Sequence, residues 1–183
     1  MSRKVADGIS LEDVTFSPSS IRAAIRKLKP NISSGPDRFP PLLYEKLEHC
    51  IAVSLSLLFT SFMSVGSVPQ AWTHAIVIPV YKGGPSSYPS NYRPISLTCV
   101  ASKIMERVVV LQMLSYLHSH KLITSQQRGF LSKRSTSTNL LETLQDWTLA
   151  IRDKKSVFAV YINFAKAFDT VSHNKLFLSL CYY

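Results

Sequence analysis

Acidic residues are scarce in this chain. Its 183 residues carry 11 Asp and Glu against 21 Lys and Arg, a formal charge of +10. Such an imbalance points to an anionic partner, most often nucleic acid, or to a basic surface without one. Cysteine is nearly absent too. Cys50, Cys99 and Cys181 are odd in number, scattered, and never in a CxxC spacing. That leaves no basis for a zinc site or a disulfide framework and fits a reducing, intracellular setting, nuclear or cytoplasmic. His118 and His120 lie two apart, which on a helix turns the rings to different faces, so both read as surface residues. Residues 1–9 hold no apolar core, so no signal peptide is expected. The uncharged run Cys50–Val68 is broken by Ser54, Ser56, Ser61, Ser64, Gly66 and Ser67. It barely reaches the roughly 20 residues that a bilayer requires. A buried helix, and no membrane partner, is the expectation. There is no internal repeat and no low-complexity tract.

What is present is a globular composition, with 46% hydrophobic residues in a chain long enough for one ordinary domain. Ser17-Pro18 is a helix start: the hydroxyl caps free N–H groups and proline suits the first turn. Ile21, Ala24, Ile25 and Leu28 follow at helical spacing, and Pro30 stops the run. Ser33 to Asp37 is a loop by its turn residues. Helices are expected near Pro41–Glu48, Ile51–Val65, Ala101–Ser119 and Thr138–Arg152, with a short final one from Asn174. The β-branched runs Ala75–Tyr81 and Ser156–Ile162 predict strands, and Lys82–Tyr92 predicts a loop or hairpin tip. The fold class is α+β, with helices outnumbering strands.

Five segments appear in a telling order. They are Ser34-Gly35-Pro36-Asp37; Val68-Pro69-Gln70-Ala71-Trp72 with the following strand and Lys82-Gly83-Gly84; Asn91 to Leu97 (NYRPISL) with Ser102 to Glu106 (SKIME); Gln126 to Phe130 (QQRGF) with Ser135 to Leu140 (STSTNL); and Phe164 to His173 (FAKAFDTVSH). Together they resemble the reverse transcriptases of non-LTR retrotransposons, LINE-like and jockey-type. The resemblance spans roughly Ile32 to His173. It implies the fingers and first palm strand of a right-hand polymerase. The expected layout is a basic helical extension over residues 1–31, fingers over 32–155, and the start of the palm over 156–183.

By this resemblance, Lys82 and Arg93 close on an incoming deoxynucleotide triphosphate. A triphosphate carries about four negative charges and needs fixed cations beside it. Arginine grips its oxygens bidentately and lysine supplies a movable charge. Taken without the resemblance, the favoured reading is of two ordinary surface cations on a solvated loop. Lys103, Arg107, Lys121, Gln126, Arg128, Phe130, Lys133 and Arg134 form a second basic group with an amide and an aromatic among them. The family's RNA template runs past this region, the primer being DNA. A template strand needs positive charge along its backbone and flat or amide groups near its bases. The competing reading packs Phe130 into the core and solvates the charges. Phe168 matches the side chain that blocks a ribose 2′-hydroxyl, and Phe164 would offer its backbone carbonyl to a metal.

Two departures from the family pattern stand out. Asn163 occupies the position where the family has a metal-binding aspartate. Mg2+ prefers anionic oxygens, and asparagine offers one neutral carbonyl. Asp169, six positions on, is by resemblance not the ligand; with Thr170 to His173 it also reads as a helix entry. No Asp-Asp pair occurs in the sequence, and the family's second catalytic strand, thumb and endonuclease have no counterpart in it. The expectation is therefore a fragment of a retrotransposon-derived enzyme, inactive alone, with no intact metal site. The alternative is a non-catalytic RNA- or DNA-binding remnant.

Overall fold

The computed structural model describes residues 13–29, 33–124, 126–131, 134–165 and 167–180. These form two compact units, one within residues 11–116 and the other within 117–183.

The first unit is built on four helices. Helix α1 (Pro18–Arg26) begins as expected: the Ser17 side chain accepts from the Ser20 amide at 3.1 Å, and Pro18 opens the first turn. It buries Ile21, Ala24 and Ile25. A short helix α2 (Pro41–Lys46) leads almost directly into α3 (Glu48–Val65). Gly66, at φ 68°, closes α3 in the left-handed conformation, and its amide returns to the Met63 carbonyl. Only glycine enters that region without a steric cost.

The buried-helix expectation for this stretch needs correction. α3 buries Glu48, Ala52 and Phe59 alone, while Leu57 is 70% and Val65 71% exposed. It is largely apolar, but the unit covers only the side facing α1, the segment before α1 and Trp72. Among the described residues, α3 is the one helix long and apolar enough to cross a membrane by length and composition.

After α3, Trp72 sits in a single 3₁₀ turn (Gln70–Thr73) and meets Phe59 and Phe62 edge-on, at ring-centre distances of 6.0 and 5.4 Å. Phe16 meets the other side of Phe59 at 5.7 Å. Edge-to-face pairs of this kind add about 0.5–1.5 kcal/mol beyond burial. The chain then forms strands β1 (Ile76–Tyr81) and β2 (Tyr92–Leu97), an antiparallel pair with Val80 opposite Arg93 and Pro79 opposite Pro94. Helix α4 (Val100–Ser119) follows and completes the core with Val100, Ile104, Met105 and Val108. The Gln112 amide clamps the segment before α1 by donating to the Thr15 carbonyl at 2.8 Å and accepting from its amide at 3.0 Å.

The second unit contains α5 (Thr136–Arg152) and α6 (His173–Leu180). A capping box of Ser135 and Thr138 starts α5, satisfying two otherwise free amides. Ser172 starts α6, its carbonyl accepting from the Leu176 amide at 3.0 Å, so the helix entry lies later than Asp169.

The strand expected over Ser156–Ile162 is not formed: residues 155–164 carry no regular structure, and Phe158 is 93% exposed. β-Branched composition favours an extended chain, but a strand exists only through a ladder with a partner. Among the described residues, β1 and β2 pair solely with each other. The architecture is nonetheless helix-rich with a small sheet, compatible with α+β.

Candidate nucleotide and nucleic-acid site

The hairpin sets the geometry of the first candidate group. Pairing continues one step beyond β1, where the Lys82 amide donates to the Asn91 carbonyl at 2.9 Å. Side chains two apart on a strand share a face, and directly paired residues share one too. Val80 pairs with Arg93, so Lys82 and Arg93 lie diagonally on the same face of the ribbon. Hydrogen-bonded and non-bonded pairs alternate along such a ladder. Counting from Lys82–Asn91 puts Pro79 and Pro94 at a non-bonded pair, where their missing N–H groups leave the ladder intact.

The tip is tied to itself. Gly83 and Gly84 have φ of 116° and 91°, accessible only to glycine without strain. Asn91 Nδ2 donates to the Pro85 carbonyl at 2.8 Å, the Tyr92 hydroxyl to that of Ser86 at 3.0 Å, and the Tyr81 hydroxyl to that of Gly84. Tyr81 and Tyr92, the last pair before the tip, hold their rings 5.5 Å apart on the opposite face from Lys82 and Arg93. The result is a ribbon with two cations on one side and two phenol rings on the other.

The base of the hairpin is braced by the Ser34–Asp37 loop. A Cβ on Gly35 would come within 2.5 Å of the Thr98 carbonyl carbon and oxygen and 2.6 Å of the Cys99 nitrogen. Cys99 is buried, and burial pushes its thiol above the ordinary range; Asp37 makes smaller contributions of both signs. Tyr44 is pushed up to about 12, by burial first and then by Asp37 and Cys99. Sequence reasoning identified the loop but not this contact. The signal lay in the glycine: a turn residue in a fixed motif implies either positive φ or a close backbone approach, and here it is the second.

Other candidates are dispersed. Lys103 and Arg107 lie one turn apart on α4; Arg107 Nη1 donates to the Lys27 carbonyl at 3.0 Å. In the second unit, Arg128 is ion-paired with Glu142 and its side chain is only 14% exposed. Its Nε is buried and unpartnered among described atoms. Arg134 is exposed, Gln126 accepts from the Thr124 hydroxyl, and Lys133 lies outside the described residues.

Phe130 is not a core residue. It is 89% exposed, adopts φ 60°, and meets Phe168 edge-on at 6.2 Å. Phe168 and Phe164 are also largely exposed. Two residues assigned to template and sugar recognition are thus neighbours in one unit.

Asn163 and Asp169 are exposed. Among the described residues, no group of three or more His, Cys, Asp and Glu could hold a metal ion. One amide, one carboxylate and a backbone carbonyl do not make a magnesium site by themselves, since a hard dication retains few neutral donors against water.

The family model "Reverse transcriptase (RNA-dependent DNA polymerase)" matches residues 80–180, from the end of β1 to the end of α6. The chain belongs to the reverse transcriptase family. It is 33% identical over 120 residues to the "RNA-directed DNA polymerase from mobile element jockey" of Drosophila melanogaster, a match covering 65% of this chain and 13% of that one. It is 29% identical over 154 residues to the "Probable RNA-directed DNA polymerase from transposon BS" of the same fly, covering 84% of this chain and 17% of the relative. A more distant relative, a "Retrovirus-related Pol polyprotein from type-1 retrotransposable element R2" of Popillia japonica, is 28% identical over 112 residues, 61% of this chain and 15% of that one. The chain therefore spans less than a fifth of the length of these relatives. Within the reverse transcriptase match fall Lys82, Arg93, Lys103, Arg107 and every candidate of the second unit.

Proposed function

We propose that this chain supplies the fingers and the opening segment of the palm in a retrotransposon reverse transcriptase that copies RNA into DNA. Its β1–β2 ribbon is the surface that meets the incoming deoxynucleotide triphosphate. The observation that carries this reading is the register that sets Lys82 and Arg93 on one face, beside a glycine-rich tip. Two cations so placed neutralise part of the triphosphate charge, and the ribbon's internal hydrogen bonds limit the entropy lost on engagement. Arg134 serves the template backbone, and Phe130 and Phe168 offer flat surfaces to bases or sugars.

Reverse transcriptases use divalent metal ions. The donors around Asn163 do not fit that ion without further carboxylates. An alternative role as a non-catalytic nucleic-acid-binding remnant draws on the same +10 charge.

The test is anisotropy of a fluorescent deoxynucleotide triphosphate titrated with the chain. Lys82→Ala and Arg93→Ala should each weaken binding about tenfold or more, in line with roughly 1.5–3 kcal/mol for a charged hydrogen bond. Undiminished binding in the double variant would remove the ribbon from the nucleotide site.

A further inference from the structure

A cleft of about 740 Å³ opens between the end of α1 and the outer side of α4. Its floor is aliphatic, formed by Ala23, Leu28, Val110 and Leu111. Its rim carries Lys27, Lys29, Lys103 and Arg107, against the single carboxylate of Glu106. The α4 contributors fall at positions 103, 106, 107, 110 and 111, one stripe on the helix. Eight residue steps along a helix span about 12 Å, or two turns. Val110 is 49% and Leu111 53% exposed, so this stripe is uncovered. The bond from Arg107 to the Lys27 carbonyl fixes one wall against the other, so the cleft is formed in advance.

We propose that this cleft docks a short acidic helix of a partner protein, one that presents aliphatic side chains on one face and Asp or Glu on its flanks. Charge complementarity selects the sign: among the described residues, four cations surround one acid. The floor selects the class. Among the described residues, the lining contains no aromatic ring on which a base could stack and no hydroxyl or amide to read one. Strand-binding grooves rely on such groups. Aliphatic floors with charged rims instead take the apolar face of an amphipathic helix, through anchors at i, i+3, i+4 and i+7. Burial raises the Glu106 carboxyl above its ordinary range, with Lys103 pulling the other way. The surface is separate from the ribbon face of Lys82 and Arg93 and independent of nucleotide binding.

The experiment uses the full chain and a labelled helical peptide of about twelve residues, with leucines at helical spacing and glutamates elsewhere. Saturable binding is expected. Leu111→Asp should weaken it at least tenfold, and Lys29→Glu about threefold. Both residues are exposed, so circular dichroism and melting should not change. A peptide with lysine in place of glutamate, and one with serine in place of leucine, should not bind. The proposal is overturned if the wild-type chain ignores the acidic peptide or if Leu111→Asp leaves its affinity intact. It is equally overturned if an RNA oligonucleotide occupies the cleft instead, losing affinity through Leu111→Asp while the peptide does not bind.

Discussion

Gly35 lies directly against Thr98, so close that a Cβ at position 35 would stand 2.5 Å from the Thr98 carbonyl. The atoms it would meet are backbone, at the junction of β2 and α4, and cannot rotate away. Gly35→Ala should therefore lower the stability of the first unit by roughly 1–3 kcal/mol, the usual cost of overpacking. Urea unfolding followed by tryptophan fluorescence reads this, because Trp72 packs in the same unit. An unchanged midpoint would mean that the loop does not brace the hairpin.

Glu48 and Arg26 form a bidentate pair, with Nε–Oε2 and Nη2–Oε1 distances of 3.0 and 2.5 Å. The hydrogen bonds from Arg26 hold the Glu48 carboxyl below its ordinary range, against an opposing effect of burial. A depressed carboxylate stabilises the fold fully above its unfolded pKa, near 4.3. That contribution fades as pH falls through the lower folded value. Melting temperature should thus drop on acidification below about pH 4, and Glu48→Gln should melt lower at neutral pH with a flatter acid limb. A variant with the same acid limb as the parent would show that Glu48 is not the responsible group.

Arg128 and Arg134 were grouped together by sequence, but their surroundings differ. Arg134 is exposed, whereas Arg128 is held by Glu142. Arg134→Ala should lower the slope of log RNA affinity against log salt by about one unit and leave melting unchanged. Arg128→Ala should instead lower the melting temperature and scarcely alter the slope. Equal slope changes in both would show that Arg128 leaves Glu142 to reach phosphate.

Asn163 is exposed and has no cluster of acids around it among the described residues. In a chimera joining this chain to the remaining polymerase of an active jockey-type relative, primer extension should be weak. Asn163→Asp should raise it by about 10²–10³, the usual cost of a missing transition-state charge contact. Activity within threefold of that variant, abolished by Asp169→Ala, would transfer the role to Asp169.

Much of this was legible in sequence because it is local. The Ser17 cap, the Gly66 stop, the strand β1 and the helix after Ser135 depend on residues within one turn of each other. The family motifs were legible for the same reason, as short strings in a fixed order. Tertiary structure alone decided four things. Gly35 is required by backbone about sixty positions away. Arg128 is consumed by an ion pair with Glu142. Phe130 stays outside the core and meets Phe168. Finally, the apolar run after Ser156 forms no strand. In each case the energy resides in a partner distant along the chain: a backbone contact, a carboxylate, a ring or a ladder. Local composition can announce the need for such a partner, but only packing shows whether and where it is met.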